Sequence, residues 1–199
     1  PIANHGITLV PGDCVYVDLN ADGEINSNDA TRDIGYTDMP EYTAGLNTGF
    51  SWKNFDFSMQ WTGAWNVDRM LDEFRRPLGD TNEKGLLLYQ YNTTWRSSAD
   101  TFTAKFPRTS SLHASNNYAG SDLYLINASY LRLKSVEIGY NFNFPFMKKL
   151  KMDNCRLYVN GYNLITITGF KWGDPESRQS SRPNYPLTRV FNVGLKLGF

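Results

Sequence analysis

The sequence holds few of the residues from which redox and catalytic centres are built. Its 199 residues include two cysteines, Cys14 and Cys155, and two histidines, His5 and His113. Two cysteines make no disulfide framework, and both thiols are expected to be unpaired. A zinc site of His and Cys ligands lacks the numbers. An excess of charge is also missing: 20 Lys plus Arg balance 20 Asp plus Glu, so nothing favours nucleic acid or an anionic lipid surface as a partner. No apolar run approaches the roughly 18 residues of a membrane helix. The mean hydropathy is negative, which fits a soluble protein but also a membrane barrel, whose alternating strands average out. The opening PIANHGITLV contains no initiator Met, basic segment or cleavage site, so a signal peptide is absent or lies upstream. Phosphate-binding glycine loops, a nucleophile elbow and a metalloprotease helix are all missing. No enzyme is expected.

Aromatic residues are abundant, with 12 Tyr, 12 Phe and 5 Trp, and they recur with a period of two. From 42 to 52, Tyr42, Ala44, Leu46, Thr48, Phe50 and Trp52 share one face of a strand. From 55 to 65, Phe55, Phe57, Met59, Trp61, Gly63 and Trp65 do the same. Lys53-Asn54 between them reads as a tight hairpin. Phe191, Val193, Leu195, Leu197 and Phe199 define a last strand. The stretch 154–166 alternates less cleanly, because Asn163 falls on the Leu157, Val159 and Ile165 face. In 130–142 the phase changes: Leu131 and Leu133 are odd, whereas Val136, Ile138, Tyr140 and Phe142 are even. A β-bulge near Lys134-Ser135 would account for the shift, and a strand top that leaves the apolar layer would serve as well.

The connections are unequal. About two residues join the first two strands, roughly sixty follow the second, about ten the third and roughly twenty the fourth. Short turns on one side and long loops on the other are the plan of an outer-membrane barrel. A soluble β-sandwich also alternates. Three features favour the barrel. Trp52 and Phe55 flank the tight turn while Tyr42, Trp61 and Trp65 lie toward the other end, as aromatic girdles would. The strand from Phe55 to Trp65, rising ~3.3 Å per residue and tilted ~45°, spans roughly 23 Å, near the ~25 Å apolar band of a barrel. The chain also ends on Phe199. The fold class is therefore all-β, an antiparallel transmembrane barrel segment of about five strands. Such an open sheet leaves two edges unpaired, each costly in lipid, so the segment is expected to belong to a longer protein.

One loop stands apart from this pattern. In DLNADGEINSND (18–29), an EF-hand-like spacing places Asp18, Asn20, Asp22, Glu24 through its backbone, Asn26 and Asp29 at ligand positions, with Gly23 at the sharp turn and Ile25 as apolar anchor. Hard oxygens brought together by one turn suit Ca²⁺ better than Mg²⁺, which prefers a tighter octahedron. Asp at the last position is shorter than the usual Glu. The loop reads as a structural calcium clip; the bland reading is a polar turn. A dockerin would need a second copy, and none exists.

Taken together, "GDCVYVDLNADGEINSND" (12–29), "IGYTDMPEYTAGLNTGFSWKNFDFSMQWTG" (34–63), "YLRLKSVEIGYNF" (130–142), "LYVNGYNLITITGFKWGDPE" (157–176) and "YPLTRVFNVGLKLGF" (185–199) resemble the C-terminal part of SusC/RagA-type TonB-linked outer-membrane transporters. Residues 1–11 match weakly, and Cys14 stands where an aliphatic residue is usual. The resemblance implies a 22-stranded barrel with an upstream plug that engages TonB. It also implies a SusD-like surface lipoprotein as a lid, oligosaccharides or peptides as cargo, and the outer membrane of a Gram-negative, Bacteroidota-type cell as a multi-pass location. On that reading residues 1–41 are an extracellular loop holding the calcium site. Residues 42–199 are barrel strands with long extracellular loops at 66–129 and 167–187.

Other features carry less. Phe170 and Trp172 could stack on cargo. The carboxylates of GDPE (173–176) lie too close in sequence for a glycosidase pair and read as loop structure. A short helix is expected within 82–95, with Leu86, Leu87 and Leu88 packing that loop against itself. Arg75-Arg76 and Lys148-Lys149 read as solvated charges. The rival functional class is a soluble, calcium-dependent carbohydrate-binding β-module, which would explain the metal loop but not the girdles or the loop asymmetry.

Overall fold

The computed structural model describes residues 3–4, 6–72, 74–75, 87–177 and 187–199. In chain order its strands are β1 (Ala3–Asn4), β2 (Glu24–Ile25), β3 (Tyr42–Trp52), β4 (Phe55–Trp65), β5 (Asp68–Met70), β6 (Leu125–Asn127), β7 (Tyr130–Phe142), β8 (Asn154–Thr168) and β9 (Val190–Gly198). Two short helices, α1 (Leu88–Thr93) and α2 (Ala114–Asn117), lie between β5 and β6. β1 pairs with β2, and β5 with β6. The chain divides into two compact units, 1–35 with 69–126, and 36–68 with 127–199.

The second unit is built on one antiparallel sheet in the order β3-β4-β7-β8-β9. Its register sorts side chains cleanly between two faces. Leu46, Trp61, Leu133 and Ile165 stand in one cross-strand row, and Phe57, Ile138, Val159 and Val193 in another. Between them run polar rows such as Ser58, Glu137, Asn160 and Asn192. Among the described residues nothing covers the apolar face: Leu46 is 59% exposed, Phe50 57%, Val159 46% and Val193 74%. A contiguous apolar face of this kind demands a non-aqueous neighbour.

Of the two explanations for the phase change, the bulge is the one present. The β4–β7 register shifts at Gln60/Trp61 and the β7–β8 register between Leu133 and Ser135. Opposite Lys134, β8 absorbs the extra residue at Asn163, whose φ of +53° is left-handed. This is why Asn163 breaks the alternation: it sits in an irregularity, where Asn tolerates a positive φ. β8 runs two residues beyond the expected 166, and β9 starts one residue before 191.

Both short connections lie at one end of the sheet. Trp52 pairs with Phe55 across the two-residue turn, where Lys53 adopts φ +54°. The Asn54 carbonyl accepts a 2.7 Å bond from the Asn141 N–H at the close of β7. Asp153 N–H donates to the Gly198 carbonyl at 2.9 Å, which places the end of β9 there too. At the opposite end Asp68, 8% exposed, accepts from Tyr36 N–H at 2.7 Å and from Asn127 Nδ2 at 3.2 Å. Ala128 N–H donates to the Val67 carbonyl at 2.8 Å. The long connections leave from this end.

The first unit gathers aromatics instead. Phe106 lies 5.4 Å from Phe74, 6.1 Å from Tyr89 and 6.1 Å from Tyr124 between ring centres. Two expectations change here. The helix in 82–95 forms, but Leu87 is 51% and Leu88 75% exposed, and the helix turns Gln90 inward, 5% exposed. Gln90 Nε2 donates to the Phe74 carbonyl at 3.4 Å, a bond that fixes the helix's facing. Arg75 is no free surface charge: it meets Asp72 at 2.7 Å and the Tyr118 carbonyl at 3.2 Å. Leu86 and Arg76 lie outside the described residues.

Candidate functional site

The loop at 18–29 closes on its own polar side chains. Asp18 Oδ2 accepts the Gly23 N–H at 2.8 Å, Asn20 Oδ1 the Asp22 N–H at 3.0 Å, and Asp22 Oδ1 the Glu24 N–H at 2.8 Å. Gly23 adopts φ +88° and Ala21 φ +58°, so the chain winds tightly. Asp29 accepts from Leu19 N–H at 2.8 Å and from Asn26 N–H at 2.8 Å. Asn26 in return caps the short helical turn Ser27–Asp29. Ile25 is 4% exposed and anchors the loop.

The donor set fits a hard cation in chemistry. Asp18 Oδ1 is buried without a hydrogen-bond partner, and a buried carboxylate oxygen in that state is costly unless something positive faces it. Each carboxylate oxygen can accept more than once, so the bonds to Asp29 do not exhaust it. Among the described residues, however, no three His, Cys, Asp or Glu side chains converge as a metal cluster. Any cation here would rely on Asn20, Asn26 and the Glu24 carbonyl as much as on carboxylates.

Just before this loop lies a hub that no sequence motif announced. The Asp13 side chain is 0% exposed and receives Arg108 Nε at 2.9 Å. It also receives Asn117 Nδ2 at 2.9 Å and Val10 N–H at 3.0 Å, with His113 Nδ1 at 2.6 Å. Burial pushes its carboxyl up, but these donors outweigh burial and hold it down at about 2. Asn116 and Asn117 are fully buried; their side chains bond the Cys14 carbonyl and N–H, both at 2.9 Å. The segment leading into the 18–29 loop is thereby stitched to residues about a hundred positions away. Burial pushes the Cys14 thiol up to about 11, so it is a poor nucleophile. Neither cysteine takes part in a disulfide.

The polar face of the sheet carries a ladder of charges. Arg156 on β8 binds Asp56 on β4, with Nε at 3.0 Å from Oδ2, and Glu137 on β7 at 2.7 Å. Asn160 Nδ2 bonds Glu137 at 3.2 Å, and Asn192 on β9 bonds Asn160 at 2.9 Å. Four strands are thus tied laterally.

At the long-connection end, the GDPE carboxylates serve structure, as expected. Asp174 lies 2.7 Å and Glu176 2.8 Å from the guanidinium of Arg132, whose side chain is 2% exposed. Of the two aromatics expected to meet cargo, Phe170 is buried at 8% exposure, whereas Trp172 is half-buried.

No protein-family model matches the chain. Among curated proteins it is similar to TonB-dependent receptor P3 of Formosa agariphila, 30% identical over 206 residues that cover 95% of this chain and 19% of that protein. It is also similar to TonB-dependent receptor SusC of Bacteroides thetaiotaomicron, 28% identical, covering 95% of this chain and 18% of that one. Among solved structures, the RagAB peptide transporter superposes with a TM-score of 0.65 at 21% identity over 82% of this chain and 18% of that one. The closed-closed state of the RagAB peptide importer does so at 0.63 and 22%, over 96% and 21%. The chain therefore spans about a fifth of the length of the relatives it matches. These relatives are barrel proteins, and an amphipathic sheet with an uncovered apolar face is what one wall of such a barrel looks like. By sequence and fold together, the chain resembles a barrel segment of the SusC/RagA-type TonB-dependent receptors of the outer membrane, one that does not close on itself.

Proposed function

We propose that this chain forms part of a TonB-dependent transporter that imports oligosaccharides or peptides together with a SusD-like surface lipoprotein. The observation that carries the reading is the sheet: eleven- to fifteen-residue strands in β3, β4, β7 and β8 with an uncovered apolar face and a polar face. In a closed barrel the apolar face meets lipid and the polar face lines the lumen. The short connections then lie on the periplasmic side, and the long ones at 66–129 and 167–187 on the cell surface. The plug and TonB contact belong to the remaining four-fifths of the protein. The chain has no catalytic task in this scheme.

Within it, the loop at 18–29 holds a structural Ca²⁺ through Asp18, Asn20, Asp22, the Glu24 carbonyl, Asn26 and Asp29. The unpartnered Asp18 oxygen supports this. The ion would supply positive charge to a loop otherwise rich in carboxylates. A soluble calcium-dependent carbohydrate module would leave Phe50, Val193 and Phe199, at 57%, 74% and 81% exposure, facing water.

The test is deletion of the gene for the full-length protein in its host. Loss of growth on one oligosaccharide or peptide class, with growth on its monomers retained, is expected, as is co-purification of a lipoprotein with the tagged transporter. Unimpaired uptake of every such class, with the protein in the soluble fraction, would overturn the reading.

A further inference from the structure

Among the described residues β9 pairs with β8 alone, so its other edge carries unpaired backbone groups. Lipid offers such groups no water, and a strand edge inside a membrane needs a strand beside it. The polar face at this edge has a particular shape. Tyr158 on β8 stands directly opposite Gly194 on β9. Its ring lies down over that glycine: a β-carbon at 194 would fall on Cζ and on the hydroxyl oxygen. The polar tip of the side chain, rather than the middle of the ring, is therefore above the last strand. Tyr158 is half-buried, yet among the described residues its hydroxyl makes no hydrogen bond. A tyrosine hydroxyl in such surroundings ordinarily has a partner. Lys196 lies two residues further along the same face, is exposed, and has no ion pair among the described residues. Its neighbour on β8 is Arg156, a like charge. Like charges directly opposite repel, which favours a Lys196 directed toward the open edge.

The same device is complete on the other side of β8. Arg156 crosses Gly139 of β7 and ends on the Asp56 carboxylate of β4, with Glu137 of β7 as a second acceptor. A glycine opens the crossing, a long side chain uses it, and an acceptor stands on the strand beyond. At β9 the glycine and the donor are both present, and Lys196 adds a second donor beside them. The acceptor is what the described residues lack. Two donors, one of them charged, call for a carboxylate rather than for a neutral or basic group.

We propose that the Tyr158 hydroxyl and the Lys196 ammonium form one half of a lateral joint on the lumen side of β9. The other half is a barrel strand of the same protein, outside residues 1–199, that carries a lumen-facing Asp or Glu in register with Gly194 and Lys196. The chain spans about a fifth of the length of its relatives, which leaves ample sequence to supply that strand. The joint rests on the barrel reading above. Its test uses the full-length protein in the outer membrane of its host. Tyr158→p-benzoylphenylalanine places a photoreactive ring over Gly194, and mass spectrometry after irradiation locates the attachment. Attachment is expected beside an Asp or Glu, in a strand of period two outside residues 1–199. Attachment to a segment without that alternation, to a second copy or another protein, or to residues within 1–199 alone overturns the proposal, as does none at all.

Amide hydrogen exchange provides the second arm. Tyr158→Phe keeps the ring over Gly194 and removes only the hydroxyl. Exchange across 190–198 should then quicken about fivefold, the worth of one hydrogen bond, with 42–65 unchanged. Lys196→Gln should act in the same direction, and Lys196→Glu more strongly, with recovery when the carboxylate found by attachment is changed to Lys. Unchanged exchange in either Tyr158→Phe or Lys196→Gln overturns the joint as stated. If the photoreactive variant fails to assemble, the exchange arm decides alone. A parent protein recovered in the soluble fraction fails the barrel reading itself, whereas an inserted parent whose variants behave as it does fails only the joint.

Discussion

Arg156 reaches across the neighbouring strand to the Asp56 carboxylate, passing over Gly139. The three residues stand on β8, β7 and β4, and Arg156 Nε lies 3.0 Å from Asp56 Oδ2. A β-carbon at 139 would fall on the guanidinium, so glycine is what keeps the crossing open. Each partner is only partly exposed, at 19% for Arg156 and 28% for Asp56. The pair lies between a surface ion pair, worth almost nothing, and a buried one. Gly139→Val should displace the guanidinium, and Asp56→Ala should remove its target, each at a cost of about 2 kcal/mol, as expected for a hydrogen bond to a charged group. Because both break the same contact, the double variant should cost scarcely more than either single one. Urea unfolding of the full-length protein in vesicles measures this.

The Asp13 hub makes the first unit sensitive to acid. The folded carboxyl titrates at about 2 against an ordinary value of 3.8. A depressed carboxylate contributes stability that is complete above the unfolded value and is lost as pH falls through the folded one. Proteolysis within 1–35 and 69–126 should therefore rise as pH drops from about 4 toward 2. An Asp13→Asn variant should be looser at neutral pH and should lack this component of the acid response. An unchanged acid profile in the variant would remove Asp13 from the account.

Cys14 should react slowly. With its thiol pushed up to about 11 by burial, almost none is thiolate at neutral pH. Iodoacetamide at pH 7.5 should leave Cys14 unmodified in the native protein and label it fully after denaturation. Mass spectrometry should find no bridge to Cys155.

Calcium binding should depend on Asp18 and Asp22. Changing either to Ala is expected to abolish Ca²⁺ binding by calorimetry and to expose residues 12–35 to protease. The barrel should still insert, because its strands draw stability from pairing and lipid contact. Absence of Ca²⁺ binding in the parent would leave 18–29 as a hydrogen-bonded polar turn.

The strands were legible because lipid and lumen impose a period of two on every residue of a barrel wall. Even the bulge was readable, since Leu133 and Val136 stand on the same face at positions of opposite parity. The hubs were hidden for the opposite reason. Asp13 meets Arg108, His113 and Asn117, and Arg132 meets Asp174 and Glu176. Such pairings join distant positions with no periodicity, and each partner alone looks like an ordinary loop or strand residue. Arg132 left one trace, a cation near the start of a strand with GDPE downstream. Leu87 and Leu88 misled because apolarity in a six-residue helix does not say which side faces in; the Gln90 bond to the Phe74 carbonyl decided that instead.

The central claim is that one face of this sheet meets lipid and the other water. Spin labels placed one at a time from Phe191 to Leu197 in the full-length protein, reconstituted in bilayers, test it directly. Collision with oxygen should peak at 191, 193, 195 and 197, and collision with a water-soluble nickel chelate at 192, 194 and 196. The reverse alternation, or equal accessibility to the chelate at every position, would contradict the barrel wall.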